Sequence, residues 1–188
     1  MGIANRVFSF AFLLLFGLAM AMQAIVGNNY GAALFHRSDA GLRLSLVVST
    51  AFCALVEACA HLGSGWIGRF FVDDPAAWGQ LARLMPYLAA LYVINGPILM
   101  ITSYYQAIGD ARRAAVIGLT RLYLFSIPLT FALPLFFGET GIWLSGPLAG
   151  VLQVALTAVV LLRARSATGL RWGLFHGSRA DRGSPGGA

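Results

Sequence analysis

The chain has 188 residues, of which 59% are hydrophobic and 11% charged, and its mean hydropathy is +0.76. Because an ordinary soluble domain is about a quarter charged, this composition predicts an integral membrane protein. All 13 basic residues are arginine, so chemistry that depends on lysine, such as P-loop or Schiff-base chemistry, is excluded.

Five long apolar runs predict five transmembrane helices, because a span needs about 20 mostly apolar residues. In chain order they lie near residues 5–30, 42–65, 82–108, 114–137 and 141–163. The last two connections are so short that the helices they join must be antiparallel. Residues 164–188 are rich in Arg, Gly and Ser, which predicts a disordered tail. The predicted fold class for residues 1–163 is therefore an all-α membrane bundle.

The arginines predict the orientation of the bundle, because cytoplasmic loops carry the excess of basic residues. Nine arginines fall on the side of the tail, three fall on the opposite side, and Arg121 falls inside a span. The C-terminus is therefore expected in the cytoplasm and, with five spans, the N-terminus outside. The net charge of +6 is accounted for in this way and indicates no nucleic-acid partner. An exported start leaves two explanations open besides a genuine five-span protein: a signal peptide cleaved near Ala21, or a chain that continues a longer protein.

Polar residues in the third predicted span indicate the wall of a cavity. Tyr92, Asn95, Leu99, Thr102 and Gln106 recur at helical spacing and share one face, and four of the five are polar. A polar stripe facing lipid would be costly, so this face is expected to meet other helices or water. The alternative is that these residues only bind helices together.

Two ionisable residues fall at membrane depth, where charged groups are candidates for function. Glu57 shares a helical face with Cys53 and lies one turn before His61, so it is a candidate proton carrier. Its alternative role is a structural pair near the outer interface. Arg121 is expected to be structural, held in an ion pair.

Small residues at a spacing of four predict close helix packing at two places in the sequence. They are Gly27 and Gly31 in the first span and Gly146 and Gly150 in the fifth.

The three histidines lie in different segments and no G-x-S-x-G motif occurs, so no enzyme, metal site or cofactor is expected. Prolines inside several predicted spans indicate kinked helices, which suit a transporter.

Three stretches resemble the multidrug and toxic compound extrusion (MATE) family, in the order in which that family has them. They are Met22–Ala32 followed by Arg37, Tyr104–Gly109 followed by Arg112 and Arg113, and Arg121–Trp143 with Pro128, Pro134 and Pro147. These stretches are similar to the end of the family's eighth helix, the end of its tenth, and its eleventh helix with the start of the twelfth. The resemblance implies helices eight to twelve of a twelve-helix antiporter, forming part of a six-helix lobe.

The resemblance also implies a bacterial inner-membrane protein that exchanges Na⁺ or H⁺ for small cationic amphiphilic compounds. Its expected partners are the bilayer and either a separate N-terminal lobe or a second copy. Where some branches of the family carry an acid in the tenth helix, this sequence has Asn95 and Gly96, so the coupling site is expected in the other half. The candidate cavity residues are then Gln23, Tyr92, Asn95, Thr102 and Gln106. Two other hypotheses stay open: a lipid-linked sugar flippase of the same superfamily, and a membrane scaffold that transports nothing.

Overall fold

A computed structural model describes residues 2–62, 89–170 and 172–176 of the chain. Within these ranges there are six α-helices: α1 (Gly2–Gly31), α2 (Phe35–Leu62), α3 (Asn95–Ala107), α4 (Ala111–Thr120), α5 (Ile127–Phe137) and α6 (Glu139–Thr168). A 3₁₀ turn, Tyr92–Ile94, leads into α3, and a π-helical segment, Arg121–Ser126, joins α4 to α5. The start of the third predicted span and the end of the predicted tail, residues 177–188, lie outside the described residues.

Four stretches are long and apolar enough to cross a membrane: Phe8–Gly31, Phe35–Leu62, Ala111–Phe136 and Leu144–Thr168. The third of them runs through α4, the π segment and α5 as one span. Together with α3, which belongs to the third predicted span, they confirm the predicted all-α membrane fold.

Helix α3 lies at the centre of the bundle. Helix α3 packs against α1, α2 and α4, while α6 packs against α5 and α4. The α3 residues from Met100 to Tyr105 are all buried, and they form the core with residues such as Leu15 and Leu42. On α5, by contrast, Leu135 is 83% exposed, which suits a helix whose surroundings are hydrocarbon.

A glycine that the packing motifs did not single out makes a close contact between α2 and α3. A methyl group placed on Gly96 of α3 would lie 2.6 Å from the carbonyl oxygen of Ser49 and 3.1 Å from Cys53 Sγ on α2. Only a residue without a side chain allows the backbones of α2 and α3 to approach so closely.

The predicted packing glycines behave differently. A methyl group on Gly27 would lie 3.5 Å from the carbonyl oxygen of Ala107, which is an ordinary contact between α1 and α3. At Gly31, Gly146 and Gly150 no atom lies within 4 Å of that position. Within the described part of the chain, these three glycines are therefore not at tight helix contacts.

A proline explains the π segment. Pro128 stands at the start of α5, where it has no N–H to donate and its ring would meet the carbonyl four residues earlier in an α-helix. The ladder ahead of it widens, so that the N–H of Ile127 donates to Leu122, five residues back. The widened turns begin at Arg121, in the middle of the span.

Two predicted boundaries need correction. Helix α2 begins at Phe35 rather than near 42, and α6 continues to Thr168 rather than ending at 163. Disorder from residue 164 onward is wrong for the described residues, because the chain turns at Gly169, in the left-handed conformation, and packs back onto the bundle. Composition alone had suggested the tail, but the polar contacts that hold it come from distant helices.

Candidate functional site

Two polar pairs join the central helix to its neighbours. The Arg121 guanidinium Nη1 donates to Asn95 Oδ1, linking the π segment to the start of α3. Near the other end of α3, Gln23 Nε2 on α1 donates to Gln106 Oε1 at 2.5 Å. Four of the predicted candidates are thus brought together in two pairs along α3.

The other two cavity candidates lie in apolar packing. Tyr92 is 8% exposed, its ring centroid is 5.2 Å from that of Phe8, and its buried hydroxyl has no hydrogen-bond partner among the described residues. Thr102 is buried, donates 2.8 Å to the carbonyl of Ile98 in its own helix, and faces α4 at Gly118. Since Tyr92 belongs to the 3₁₀ turn, the predicted continuous face from residue 92 to 106 is interrupted before α3 begins.

Arg121 has a neutral partner. The sequence predicted an ion pair, but no carboxylate of the described residues lies within ion-pair distance of it, and the amide oxygen of Asn95 takes that place. The expected ion pair is therefore wrong for this part of the chain. The side chain is only partly buried, so its remaining donors are open to water or to a bound group.

Glu57 binds the backbone of the segment that leads into α3. Its carboxylate accepts from the N–H groups of Leu91 at 3.2 Å and Val93 at 2.8 Å, and its Oε1 lies 3.9 Å from His61 Nε2. Leu91 has a φ of 64°, a left-handed conformation that is strained for such a residue. These contacts give Glu57 a structural role, while proton carriage stays a prediction.

We expect Glu57→Ala to lower the free energy of unfolding by about 2 kcal/mol, because two charge-assisted hydrogen bonds are lost. Glu57→Gln keeps one acceptor oxygen and should lose about half as much. Unfolding in detergent, followed by circular dichroism, measures both. Full stability in both variants would contradict the structural role and favour the proton-carrier hypothesis.

Residues 172–176, here called the C-terminal strap, lie across the end of the bundle. The Tyr104 hydroxyl donates to the carbonyl of Leu174 at 2.8 Å, and the Tyr105 hydroxyl donates to the carbonyl of Gly173 at 3.1 Å. Both tyrosines are almost fully buried, and Leu174 is 4% exposed. The strap therefore closes over the end of α3.

A carboxylate at the start of α2 fixes the end of the strap. The N–H of His176 donates to Asp39 Oδ2 at 2.9 Å, and His176 Nδ1 lies 3.6 Å from Asp39 Oδ1. The imidazole also stacks on Phe35, with ring centroids 4.4 Å apart. Sequence reasoning missed this cluster; its only signals were the apolar residues Leu174 and Phe175 in an otherwise polar tail.

One further buried polar side chain was not among the candidates. Gln153 of α6 is fully buried and donates to the carbonyl of Ile117 at 2.7 Å, one turn before the π segment. Its amide oxygen has no hydrogen-bond partner among the described residues. It ties the last span to the preceding one, next to the widened turns.

These features define a class of protein: a multi-pass membrane bundle whose central helix carries polar side chains at membrane depth, as transporter lobes do. The model of the MatE family matches residues 1–132. The chain therefore belongs to the MatE family, whose members are transporters rather than enzymes.

Individual relatives agree with this assignment. The chain is 25% identical over 166 residues to the multidrug export protein MepA of Staphylococcus aureus, covering 87% of this chain and 36% of that protein. It is 28% identical over 177 residues to the probable multidrug resistance protein NorM of Agrobacterium fabrum, covering 87% and 36%. The structure of the MATE multidrug transporter DinF-BH in complex with R6G matches with a TM-score of 0.80 and 32% identity, over 90% of this chain and 38% of that one. The chain thus spans about a third of the length of the relatives it matches.

Proposed function

We propose that the chain forms part of a MATE-type multidrug transporter that exports small cationic amphiphilic compounds in exchange for Na⁺ or H⁺. The observation that carries the proposal is the polar face of α3, where Asn95 and Gln106 pair with Arg121 and Gln23 of neighbouring elements. The family membership and the likeness to a drug-bound transporter support it.

Exposure of this face favours transport over a scaffold. Side chains that only glue helices together should be buried between them, since unpaired polar groups are costly in hydrocarbon. Gln106 is exposed and Gln23 is half-buried, so their pair lies at an open face. In the transporter we expect that face to border the water-filled substrate path.

The alternative of a lipid-linked sugar flippase would favour several basic groups along this path. Among the described residues Arg121 is the one basic side chain at the middle of a span, and its partner is an amide. We therefore keep drug export as the leading proposal.

Since the matched relatives are about three times longer, we propose that further helices supply the opposite wall, from a second lobe or a second copy. The coupling-ion site is proposed to lie in that wall, because Asn95 is neutral and Glu57 is engaged by backbone N–H groups. The likeness to bacterial multidrug proteins supports a bacterial inner membrane, and the bias of arginines towards one side supports a cytoplasmic C-terminus.

Deleting the gene from its native cells tests this function, with accumulation of the cationic dye R6G as the measurement. Deletion should raise accumulation, and the wild-type gene should restore efflux. Asn95→Leu, which removes the partner of Arg121, should cut the restored efflux about tenfold, equivalent to about 1.4 kcal/mol.

Asn29→Leu is the matched control, because within the described part of the chain the Asn29 amide donates to the carbonyl of Ile25 in its own helix and joins no second helix. It should restore efflux fully. If deletion leaves R6G accumulation unchanged, export of this class of compound is refuted; if the two variants behave alike, the polar face is not part of the path.

A further inference from the structure

The C-terminal strap lies where the chain leaves the membrane. The last span, Leu144–Thr168, ends at Gly169, and the strap then runs back over the same end of the bundle, against the start of α2 and the end of α3. Its position is therefore the boundary between hydrocarbon and water.

One residue of the strap points away from the protein under strain. Trp172 is 64% exposed and has a φ of 60°, which is a rare and strained conformation for a bulky residue. The next two residues, Gly173 and Leu174, are buried and held by tyrosine hydroxyls. Because the strap is fixed there, the strained turn directs the indole outward.

The surface around this indole is positively charged. Five exposed arginines belong to this end of the described chain: Arg37, Arg43, Arg112, Arg163 and Arg165. The guanidinium of Arg43 lies 4.9 Å from the centroid of Phe175, so its charge sits directly on the strap.

The two acidic side chains described at this end do not offset that charge at the surface. Asp39 is buried against His176, and Asp110 is paired with Arg113 at 2.6 Å. An exposed tryptophan at the same end as arginines that have no acidic partner among the described residues, at the level where a span ends, matches the chemistry of a phospholipid headgroup layer.

We propose that the C-terminal strap binds the membrane surface, with Trp172 inserted among the headgroups and Arg43 and its neighbours paired with anionic phospholipids. The indole replaces contact with water by contact with the interface, which compensates the strain of its backbone. Each arginine near an anionic leaflet adds to the attraction between the strap and the membrane surface. This proposal does not rest on the proposed transport function.

Fluorescence of Trp172 in the full chain tests the proposal. The other tryptophans, Trp66, Trp78 and Trp143, are replaced by Phe, and the protein is reconstituted into phosphatidylcholine vesicles with or without phosphatidylglycerol. Lipids brominated near the headgroup should quench Trp172 several-fold more than lipids brominated near the chain ends, and aqueous iodide should quench it weakly. Phosphatidylglycerol should increase the quenching of Trp172 by the headgroup-brominated lipids, and Arg43→Gln should reduce that increase.

Arg6→Gln is the control for charge, because Arg6 is exposed near the opposite end of α1. It should leave the quenching unchanged. If the triple replacement fails to fold, the difference between wild type and Trp172→Ala isolates the same signal. The proposal would be overturned if iodide quenched Trp172 strongly and brominated lipids did not. Its anionic-lipid part would be overturned if phosphatidylglycerol did not change the quenching of Trp172 by brominated lipids.

Discussion

Gly96→Ala is expected to lower the free energy of unfolding by about 2–3 kcal/mol. The added methyl group would lie 2.6 Å from the carbonyl oxygen of Ser49 and 2.9 Å from its carbon, and backbone atoms cannot move aside as a flexible side chain can. Overpacking of this kind costs about 1–3 kcal/mol, and here two central helices must separate to relieve it. Thermal and denaturant unfolding in detergent, followed by circular dichroism, measures the loss.

The same substitution at Gly17 provides the matched control. Gly17 is an exposed residue inside α1, and no atom lies within 4 Å of its added methyl group. Gly17→Ala should raise stability by about 0.5–1 kcal/mol through helix propensity alone. Equal effects at the two positions would show that α2 and α3 are not in close contact at Gly96.

Asp39→Ala is expected to release the C-terminal strap. The carboxylate accepts the N–H of His176 at 2.9 Å and is 6% exposed, so its loss removes a hydrogen bond to a buried charged group. Such a bond contributes about 2 kcal/mol, which corresponds to a roughly 30-fold larger open population. Hydrogen exchange of the peptide that contains residues 172–176, measured by mass spectrometry, should accelerate by that factor.

Ser38→Ala is the control for this experiment. Ser38 is fully buried beside Asp39, but its hydroxyl has no hydrogen-bond partner among the described residues. Its removal should leave exchange of the strap nearly unchanged. If Asp39→Ala leaves exchange as slow as in the wild type, the tyrosine hydroxyls and Leu174 hold the strap without the carboxylate.

The sequence predicted the spans because a bilayer imposes a simple requirement on length and hydropathy. It also predicted that Asn95, Gln106 and Arg121 belong to the polar part of the bundle, since polar groups at that depth need partners. Which groups pair with each other depends on how helices approach in space. Arg121 therefore pairs with an amide where an ion pair was expected, and Gly96, which belongs to no predicted G-x-x-x-G motif, lies at a close contact between α2 and α3.

The strap was hidden from sequence reasoning for a different reason. It lies within residues 164–188, whose composition is that of a flexible tail, and the groups that fix it, Asp39, Tyr104 and Tyr105, are far away along the chain. Local patterns report on helices, whose contacts are local, but carry little information about a short segment held by distant side chains.

The contact between Asp39 and His176 joins residues 137 positions apart, and this separation affects the order of biosynthesis. When α2 emerges from the ribosome, His176 has not yet been synthesised, so the Asp39 carboxylate lacks this partner. The hydroxyls of Tyr104 and Tyr105 likewise lack their acceptors until the carbonyls that follow α6 have been synthesised. The early helices must therefore stay partly hydrated at this end until the last span has been inserted. Docking of the strap is the step that completes the folding of this end, and a nascent chain arrested before it would present an unfinished surface to the quality-control proteases of the membrane.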